Sequence, residues 1–494
     1  MSIDLSLERI RRILTHLPKY TRPTCHIAGT NGKGSVTALL SSIFTAASLS
    51  VGRFNSPHLT SIYDCISIDG KDVTPDVYAN ARADVENADR EYDTKLTSFE
   101  LLTVTALLIF ERAKVDIAVV EVGLGGRRDA TNAILDECIA VSGLTAVDLD
   151  HQSFLGGTVE EIAREKSAIA RPGKPFVLGP QKHGEVEKIA EEIVTHAGGD
   201  FVKAPPVAKR EWDQSLDGPE PPAFALSATN FQAPRAQPIT LNMPCFSQPV
   251  QTQLPLFGEH QLENLATASS IVSSLLSHTA CSALNFKDRV TPDAVAKGIQ
   301  KANWAGRLSY HTFVHTSQSA KPLVVLADGA HNAASAQTLS AYVTHVLSLL
   351  TNGETSAPRK VNLTFILGLS HSPPKTPSQT LKPLFPPRIP ESRTLDVKVN
   401  VAAVRFTPPE GMPWVHSVPP AEITEAVREL APGATTWTAD DCDNDQLVHA
   451  LDWATKDAGA GSDGAESLVI VAGSLYLVAD FYRLLHKDVP TASV

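Results

Sequence analysis

Between an apolar run and a helical pattern stands the string GTNGKGS, Gly29 to Ser35. Glycines let successive backbone N–H groups converge on an anion, the following helix N-terminus adds partial positive charge, and Lys33 adds a full one. The string therefore reads as a cradle for a triphosphate, although it departs from the common phosphate-loop spelling. Ile27 stands where the first glycine would be, and Gly34, not serine or threonine, follows Lys33. The bland alternative is a tight glycine turn. A second string, EVGLGGRRDATN (Glu121 to Asn132), ends an apolar run. A carboxylate projecting from a strand end into a phosphate crevice is a hard-oxygen ligand for Mg²⁺, although a strand-end glutamate taken alone is more often a salt-bridge partner. The third string, DLDHQSFLGGTVEEIAREKSAIA (Asp148 to Ala170), carries His151 just beyond a strand and Lys166 two turns into the next helix. Either residue alone reads as solvated; their company with a nucleotide loop makes them candidates.

The elements that must position these residues are legible from periodicity. From Thr24 to about Leu178, short apolar runs alternate with helical patterns, the signature of a parallel sheet covered by helices. CHIA, ending at Ala28, is the first strand. After the glycine loop, Val36, Leu39, Leu40, Ile43, Phe44 and Ala47 recur at helical spacing. Further strands lie at VDIAVVEV (Val115 to Val122) and CIAVSGL (Cys138 to Leu144), with an apolar helix, Phe99 to Phe110, before the first. Thr158 with Glu161 forms a capping box that opens the helix carrying Lys166, and Gly173 follows its end.

Residues 205–255 are rich in proline and glutamine without helical period and read as an irregular or β-type insertion. The pattern restarts at WAGRL (Trp304 to Leu308), continues through the strand and loop PLVVLADGAHN and a helix from about Ala333 to Leu350, and resumes at Leu363 to Leu367 and Leu468 to Val471. The expected division is a first α/β domain over 1–308 and a smaller one over 309–494, with a proline-rich surface insertion at 370–390.

A chain of 494 residues is long enough for more than one domain, and 43% apolar with 20% charged residues is a globular composition. The net charge of −11 leaves no electrostatic footprint for nucleic acid or an anionic membrane. The six cysteines form no C-x-x-C pair, which fits a reducing compartment. The N-terminal segment mixes Asp4 and Glu8 with its arginines and lacks a signal-like apolar run, so it reads as a first helix. The expected location is cytoplasmic, with the mitochondrion as the alternative. No run of about 20 apolar residues suggests a membrane span.

These strings, together with NSPHL (Asn55 to Leu59), GEHQLENLATA (Gly258 to Ala268), WAGRL and DGAHN (Asp328 to Asn332), resemble the folylpolyglutamate/dihydrofolate synthase family, relatives of the Mur ligases. The resemblance is ordered along nearly the whole chain. VRFTPPEGMPWVHS (Val404 to Ser417) and the helix beginning FELLT are most similar to fungal dihydrofolate synthases. The resemblance implies a P-loop NTPase-like N-terminal domain of Mur-ligase type, a Rossmann-like C-terminal domain, and a monomer. By the same resemblance Gly32, Lys33, Gly34 and Ser35 grip ATP phosphates, and Ser56, Glu121 and His151 ligate two magnesium ions. Lys166 matches a lysine that is carbamylated in the family. Asn264, Arg307 and Asp328 match groups that bind adenosine and phosphate. Asp4, Leu5 and Ser6, the run Thr97, Ser98, Phe99 and Glu100, and Arg128, Asp129 and Ala130 match dihydropteroate-binding segments, with Ser6 in place of a glycine and Arg128 in place of a leucine. His331 and Ser474 match the glutamate side.

The implied reaction joins L-glutamate to dihydropteroate through an acyl phosphate, with Lys33, Lys166 and His331 in catalytic roles. Folylpolyglutamate synthase, or an enzyme with both activities, is the alternative of the same chemistry. A nucleotide-binding regulator or a simple phosphotransferase is the rival from another class, and neither needs Ser56, Glu121, His151 and Lys166 together.

Overall fold

The computed structural model describes residues 6–314, 322–351, 358–390, 395–409, 412, 414–459 and 465–487. The chain divides into two compact units, Met1–Glu220 with Ala236–Trp304, and Pro221–Arg235 with Ala305–Val494. Both are α/β, as the alternation of apolar runs and helical patterns predicts. Among the described residues no helix is long and apolar enough to cross a membrane.

The first unit is built on β1 (Thr24–Ala28), β2 (Val51–Phe54), β3 (Ile66–Ile68), β4 (Lys71–Asp72), β5 (Ile117–Glu121), β6 (Ile139–Leu144), β7 (Pro175–Leu178) and β8 (Asp200–Lys203). Their spatial order is β4-β3-β2-β5-β1-β6-β7-β8. Only the β2–β3 and β3–β4 pairings are antiparallel. β1, β5 and β6 are buried along their whole length, which is why they read as unbroken apolar runs and not as alternating ones. The chain leaves β1 toward β2 on one side and later enters β6 on the other. The order therefore reverses at β1, and the crevice beyond its C-terminal end is where such sheets bind ligands.

Within 205–255 lies an antiparallel sheet of β9 (Ala208–Lys209), β10 (Gln237–Leu241) and β11 (Val250–Leu254). Ile239, Leu241, Val250 and Leu254 join one core with Leu265, Ile271 and Ile299. Pro221–Arg235 departs from the simple two-part division and belongs to the second unit. Phe224 and Phe231 pack around Tyr310, and the Leu226 N–H donates to Glu466 Oε2 at 3.1 Å. Three large apolar residues among alanines, prolines and a few polar residues give too little periodicity to announce that attachment.

The second unit holds β12 (Ser309–Phe313), β13 (Leu323–Ala327), β14 (Arg359–Leu367), β15 (Leu395–Ala403), β16 (Thr435–Thr438) and β17 (Glu466–Ala472), ordered β12-β13-β17-β14-β15-β16. β12 is antiparallel to β13 and the remaining pairs are parallel. The proline-rich stretch at 370–390 is largely exposed but anchored at a few points. Thr376 caps a short helix, Pro377–Leu381, and Leu381, Leu384 and Phe385 are buried, with the Phe385 ring edge-on to Phe365 of β14 at 5.0 Å. Composition reported the prolines and missed three apolar anchors behind them. Phe385→Ala is expected to lower unfolding stability by about 3 kcal/mol, the ordinary result of emptying a buried aromatic site. A change within about 0.5 kcal/mol in urea titration, typical of a surface appendage, would contradict that anchoring.

Candidate active site

The phosphate-type loop runs from β1 into the helix Lys33–Ala46. It is tied to the segment leaving β6: the Thr30 and Asn31 N–H groups donate to Ala146 O, Thr145 Oγ1 donates to Asn31 O at 2.7 Å, and Thr30 Oγ1 donates to Asp148 O. Gly32 takes φ 93° at the helix N-cap, and a Cβ there would stand 2.1 Å from Asn264 Oδ1. At Gly34 a Cβ would stand 2.6 Å from the Trp304 ring. Both glycines are thus required by close approach, and the second replaces the usual hydroxyl residue because an indole covers it. Asn264 donates to Gln261 Oε1, and Gln261 donates to Ser35 Oγ at 3.2 Å, so the helix His260–Ser277 fixes the loop's far side.

Adjacent strand ends gather the remaining groups. Ile27 is in register with Glu121, and Phe54 with Val120, so Gly29, Glu121 and Asn55 all leave neighbouring strands on the same edge. Glu121 is 6% exposed. Its Oε1 lies 3.7 Å from Lys33 Nζ, and its Oε2 accepts from Asn55 Nδ2 at 2.6 Å. Ser56 follows Asn55, half-buried. Mg²⁺ keeps several waters and takes one or two protein carboxylates besides substrate phosphates. A single buried strand-end carboxylate with a serine hydroxyl in the adjoining loop fits that demand. Among the described residues no three His, Cys, Asp or Glu side chains form a closed metal cage.

Lys166 overturns the solvated reading of a helical lysine. It is 4% exposed, and its ammonium nitrogen donates to Gly29 O at 2.9 Å. Val159, Ile162 and Ala163 are buried on the same helix, so Lys166 continues an i, i+3, i+4, i+7 apolar face. That misplaced charge was the available signal. Burial first, and the charge of Lys33 second, lower its pKa to about 7. As an amine it is no oxygen ligand, and in that form it does not fit a second magnesium. His151 is exposed at φ 50°, where it opens the short turn Gln152–Leu155, and its N–H donates to Asp150 Oδ1.

The expected pteroate segments are spread between site and scaffold. Asp4 and Leu5 lie outside the described residues, and Ser6 is exposed before the helix Glu8–Leu14. Thr97 and Glu100 form the capping box of the helix Ser98–Ala113, and Glu100 also accepts from Arg9 Nε at 3.2 Å. Their polar groups therefore do structural work that the T-x-x-E spacing could have announced. Ser98 is exposed, and Phe99 lies against Phe54. The Asp129 carboxylate turns into its own loop, accepting from the Leu124 and Thr131 N–H groups, while burial pushes its carboxyl up. Ala130 is buried beside it. Arg128 points outward to Glu165 and to Phe154 O. A separate cavity of about 840 Å³, lined by Arg11, Leu107, Asn132 and Arg171 among others, lies beside Tyr20 and Glu137, which precede β1 and β6. It is thus at the sheet edge opposite the glycine loop.

In the second unit, Asp328 sits just beyond β13 and accepts from the Leu308 and Ala330 N–H groups at 2.9 Å each, while burial pushes its carboxyl up. Arg307 Nη1 donates to Gly306 O. His331 Nδ1 faces Gly329 O at 2.9 Å and so carries a proton. Lys375 Nζ donates to His331 O. Ser474, just beyond β17, accepts from the Tyr476 N–H and meets Ser370 Oγ at 3.2 Å. Sequence reasoning left out Thr37, Asn55, Thr145, Gln261 and Trp304. NSPHL, GEHQLENLATA and WAGRL carried Asn55, Gln261 and Trp304 in plain view, whereas Thr145 reveals itself only by the glycine it crowds.

Residues 310–484 match the family model described as dihydrofolate synthetase, C-terminal domain. The chain is 32% identical to the dihydrofolate synthetase of Saccharomyces cerevisiae, over 98% of each chain. It is 29% identical to a probable dihydrofolate synthetase of Schizosaccharomyces pombe, over 99% of this chain and 100% of that one. Among solved structures, Mycobacterium tuberculosis folylpolyglutamate synthase complexed with ADP and AMPPCP is similar at a TM-score of 0.72 and 27% identity, covering 98% of this chain and 96% of that one.

The buried Lys166 carries a pH dependence. Its pKa is about 7 in the folded chain, against about 10.4 unfolded, so between those values the unfolded state binds the extra proton and stability rises with pH. Below about pH 7 the full penalty of a buried ammonium remains. Lys166→Met is therefore expected to stabilise the chain by a few kcal/mol at pH 6.5 in CO₂-free buffer, with the gain fading toward pH 10. A pH-independent difference in urea unfolding would contradict this.

Proposed function

We propose, from the premise that this chain belongs to the dihydrofolate synthase/folylpolyglutamate synthase family, that it is a dihydrofolate synthase, an ATP-dependent ligase joining L-glutamate to dihydropteroate. The observation that carries the ligase chemistry is the meeting of Lys33, Glu121 and Asn55 beyond β1, β2 and β5. The choice of dihydropteroate is supported by likeness over the whole length to the two fungal proteins.

A carboxylate is a poor electrophile with a poor leaving group, so amide formation requires its activation. In the first step an oxygen of the dihydropteroate carboxylate attacks the γ-phosphorus of ATP. The bond to the β–γ bridging oxygen breaks, ADP leaves with that electron pair, and an acyl phosphate remains. Lys33 and the N–H groups of Gly32, Gly34 and Ser35 neutralise charge on the phosphate oxygens as it develops. The free amine of glutamate then adds to the acyl carbon, phosphate departs with the electrons of the C–O bond, and the nitrogen gives up one proton to the departing phosphate. Asn264, held by Gln261 against Gly32, keeps the loop's approach to the nucleotide fixed. Glu121 with Ser56 and His151 would hold magnesium, which would supply Lewis-acid polarisation of the phosphoryl group. Lys166 would join that donor set as a carbamate: its neutral amine would add to CO₂ and release one proton to solvent, so that a buried amine would become oxygen ligands for a second magnesium.

The second reading, extension of a folate glutamate tail, is favoured by the likeness to the mycobacterial folylpolyglutamate synthase; the acceptor alone separates the two. With Mg·ATP and glutamate, ADP release is expected with dihydropteroate and not with tetrahydrofolate monoglutamate. The reverse pattern makes the chain a folylpolyglutamate synthase, and release with both makes it bifunctional. Lys33→Ala is expected to lower kcat about a hundredfold or more, and near-normal turnover would remove Lys33 from the phosphate role. In ¹³C-bicarbonate the native chain is expected to show a carbamate carbon resonance that Lys166→Met lacks; a native spectrum without it counts against the modification.

A further inference from the structure

Asn55 is 3% exposed and belongs to no list of ligands above. Its Nδ2 lies 2.6 Å from Glu121 Oε2 and 2.7 Å from Thr37 Oγ1. Thr37 Oγ1 in turn lies 2.9 Å from Gly34 O in the first turn of the helix that follows the glycine loop. The direction of every proton in this buried chain is fixed by chemistry. A carbonyl and a carboxylate can only accept, so the Thr37 hydroxyl gives its proton to Gly34 O. Its remaining capacity is to accept, and Asn55 must then present its NH₂ group, with one proton for Thr37 and one for Glu121. Both amide protons are committed, and the carboxylate is held through Oε2 with Oε1 on the side of Lys33.

We propose that Asn55 is a positioning residue that fixes how the Glu121 carboxylate meets the divalent cation, by locking that carboxylate through Oε2 to the phosphate loop by way of Thr37. The inference rests on the metal reading of Glu121 given above. A ligating carboxylate that is itself hydrogen-bonded stays in one rotamer, and loss of such an outer partner typically weakens metal binding about 10- to 100-fold. The chain also couples two sites: displacement of the loop's first turn by a nucleotide is transmitted to the cation's ligand by two short hydrogen bonds. An aspartate at position 55 could donate to neither neighbour and would place a second negative charge against Glu121.

The test is Mn²⁺ binding by the full chain with ADP present, read from the loss of the free-ion EPR signal, on the native protein and on Asn55→Ala, Thr37→Val and Glu121→Gln. Asn55→Ala is expected to weaken Mn²⁺ binding about 10- to 100-fold. In turnover the Mg²⁺ concentration for half-saturation should rise by a similar factor while kcat at saturating Mg²⁺ stays within a few-fold of native. A merely structural asparagine would lower the unfolding midpoint without moving that half-saturation point. If Asn55→Ala does not fold, Thr37→Val decides: it keeps the Asn55–Glu121 bond, and a several-fold weakening of Mn²⁺ binding supports the chain of bonds, whereas native affinity overturns it. Folded Asn55→Ala with native Mn²⁺ affinity sinks the inference alone, provided Glu121→Gln has lost binding. Native affinity in Glu121→Gln as well sinks the metal reading beneath it.

Discussion

A carboxylate 6% exposed at the end of an apolar strand is tolerable only if its charge is answered on every side, and the first unit is organised around that requirement. Glu121 meets Lys33 at one oxygen and Asn55 at the other. Lys33 in turn depends on a loop whose backbone is tied to the segment after β6 and whose glycines lie against Asn264 and Trp304. A parallel sheet whose order reverses at β1 brings these segments to one edge without any of them being near another in sequence. The same edge receives Lys166 from a helix that turns its apolar face, and one misplaced cation, toward the sheet.

Much of this was legible in the chain itself. The glycine loop, the apolar runs of β5 and β6 and the capping box at Thr158 are local signals, and each element formed where its signal stood. Burial on both faces makes such strands easy to find, because no alternation has to be detected. The capping box at Thr97 was equally visible and changes the meaning of Glu100, whose carboxylate is occupied by the Thr97 N–H and Arg9. What the sequence did not disclose was long-range neighbourhood. No local pattern says that Thr145 will lie against Gly29, that an indole will cover Gly34, or that Asn55 will face Glu121.

Proline-rich and polar stretches were the other blind spot. Composition treats 370–390 as a loop because prolines break periodicity, yet three apolar side chains anchor it in the second unit's core. Pro221–Arg235 behaves alike, with Phe224 and Phe231 doing the anchoring around Tyr310. In both, a few large side chains separated by irregular backbone suffice for attachment, and no averaging over a window finds them.

The position of β17 has a consequence for biosynthesis. Among the described residues β17 is the last strand, and it lies between β13 and β14, so those two have no direct hydrogen-bonded pairing and wait for Glu466–Ala472 to fill the gap. On a ribosome the six-stranded sheet therefore cannot close until Glu466–Ala472 has emerged. Until then β13 and β14 each expose a bare apolar edge, an open template for another chain. The nascent second unit thus calls for chaperone cover, and loss of the last turn of the helix Leu475–Lys487 should be far gentler than loss of this strand.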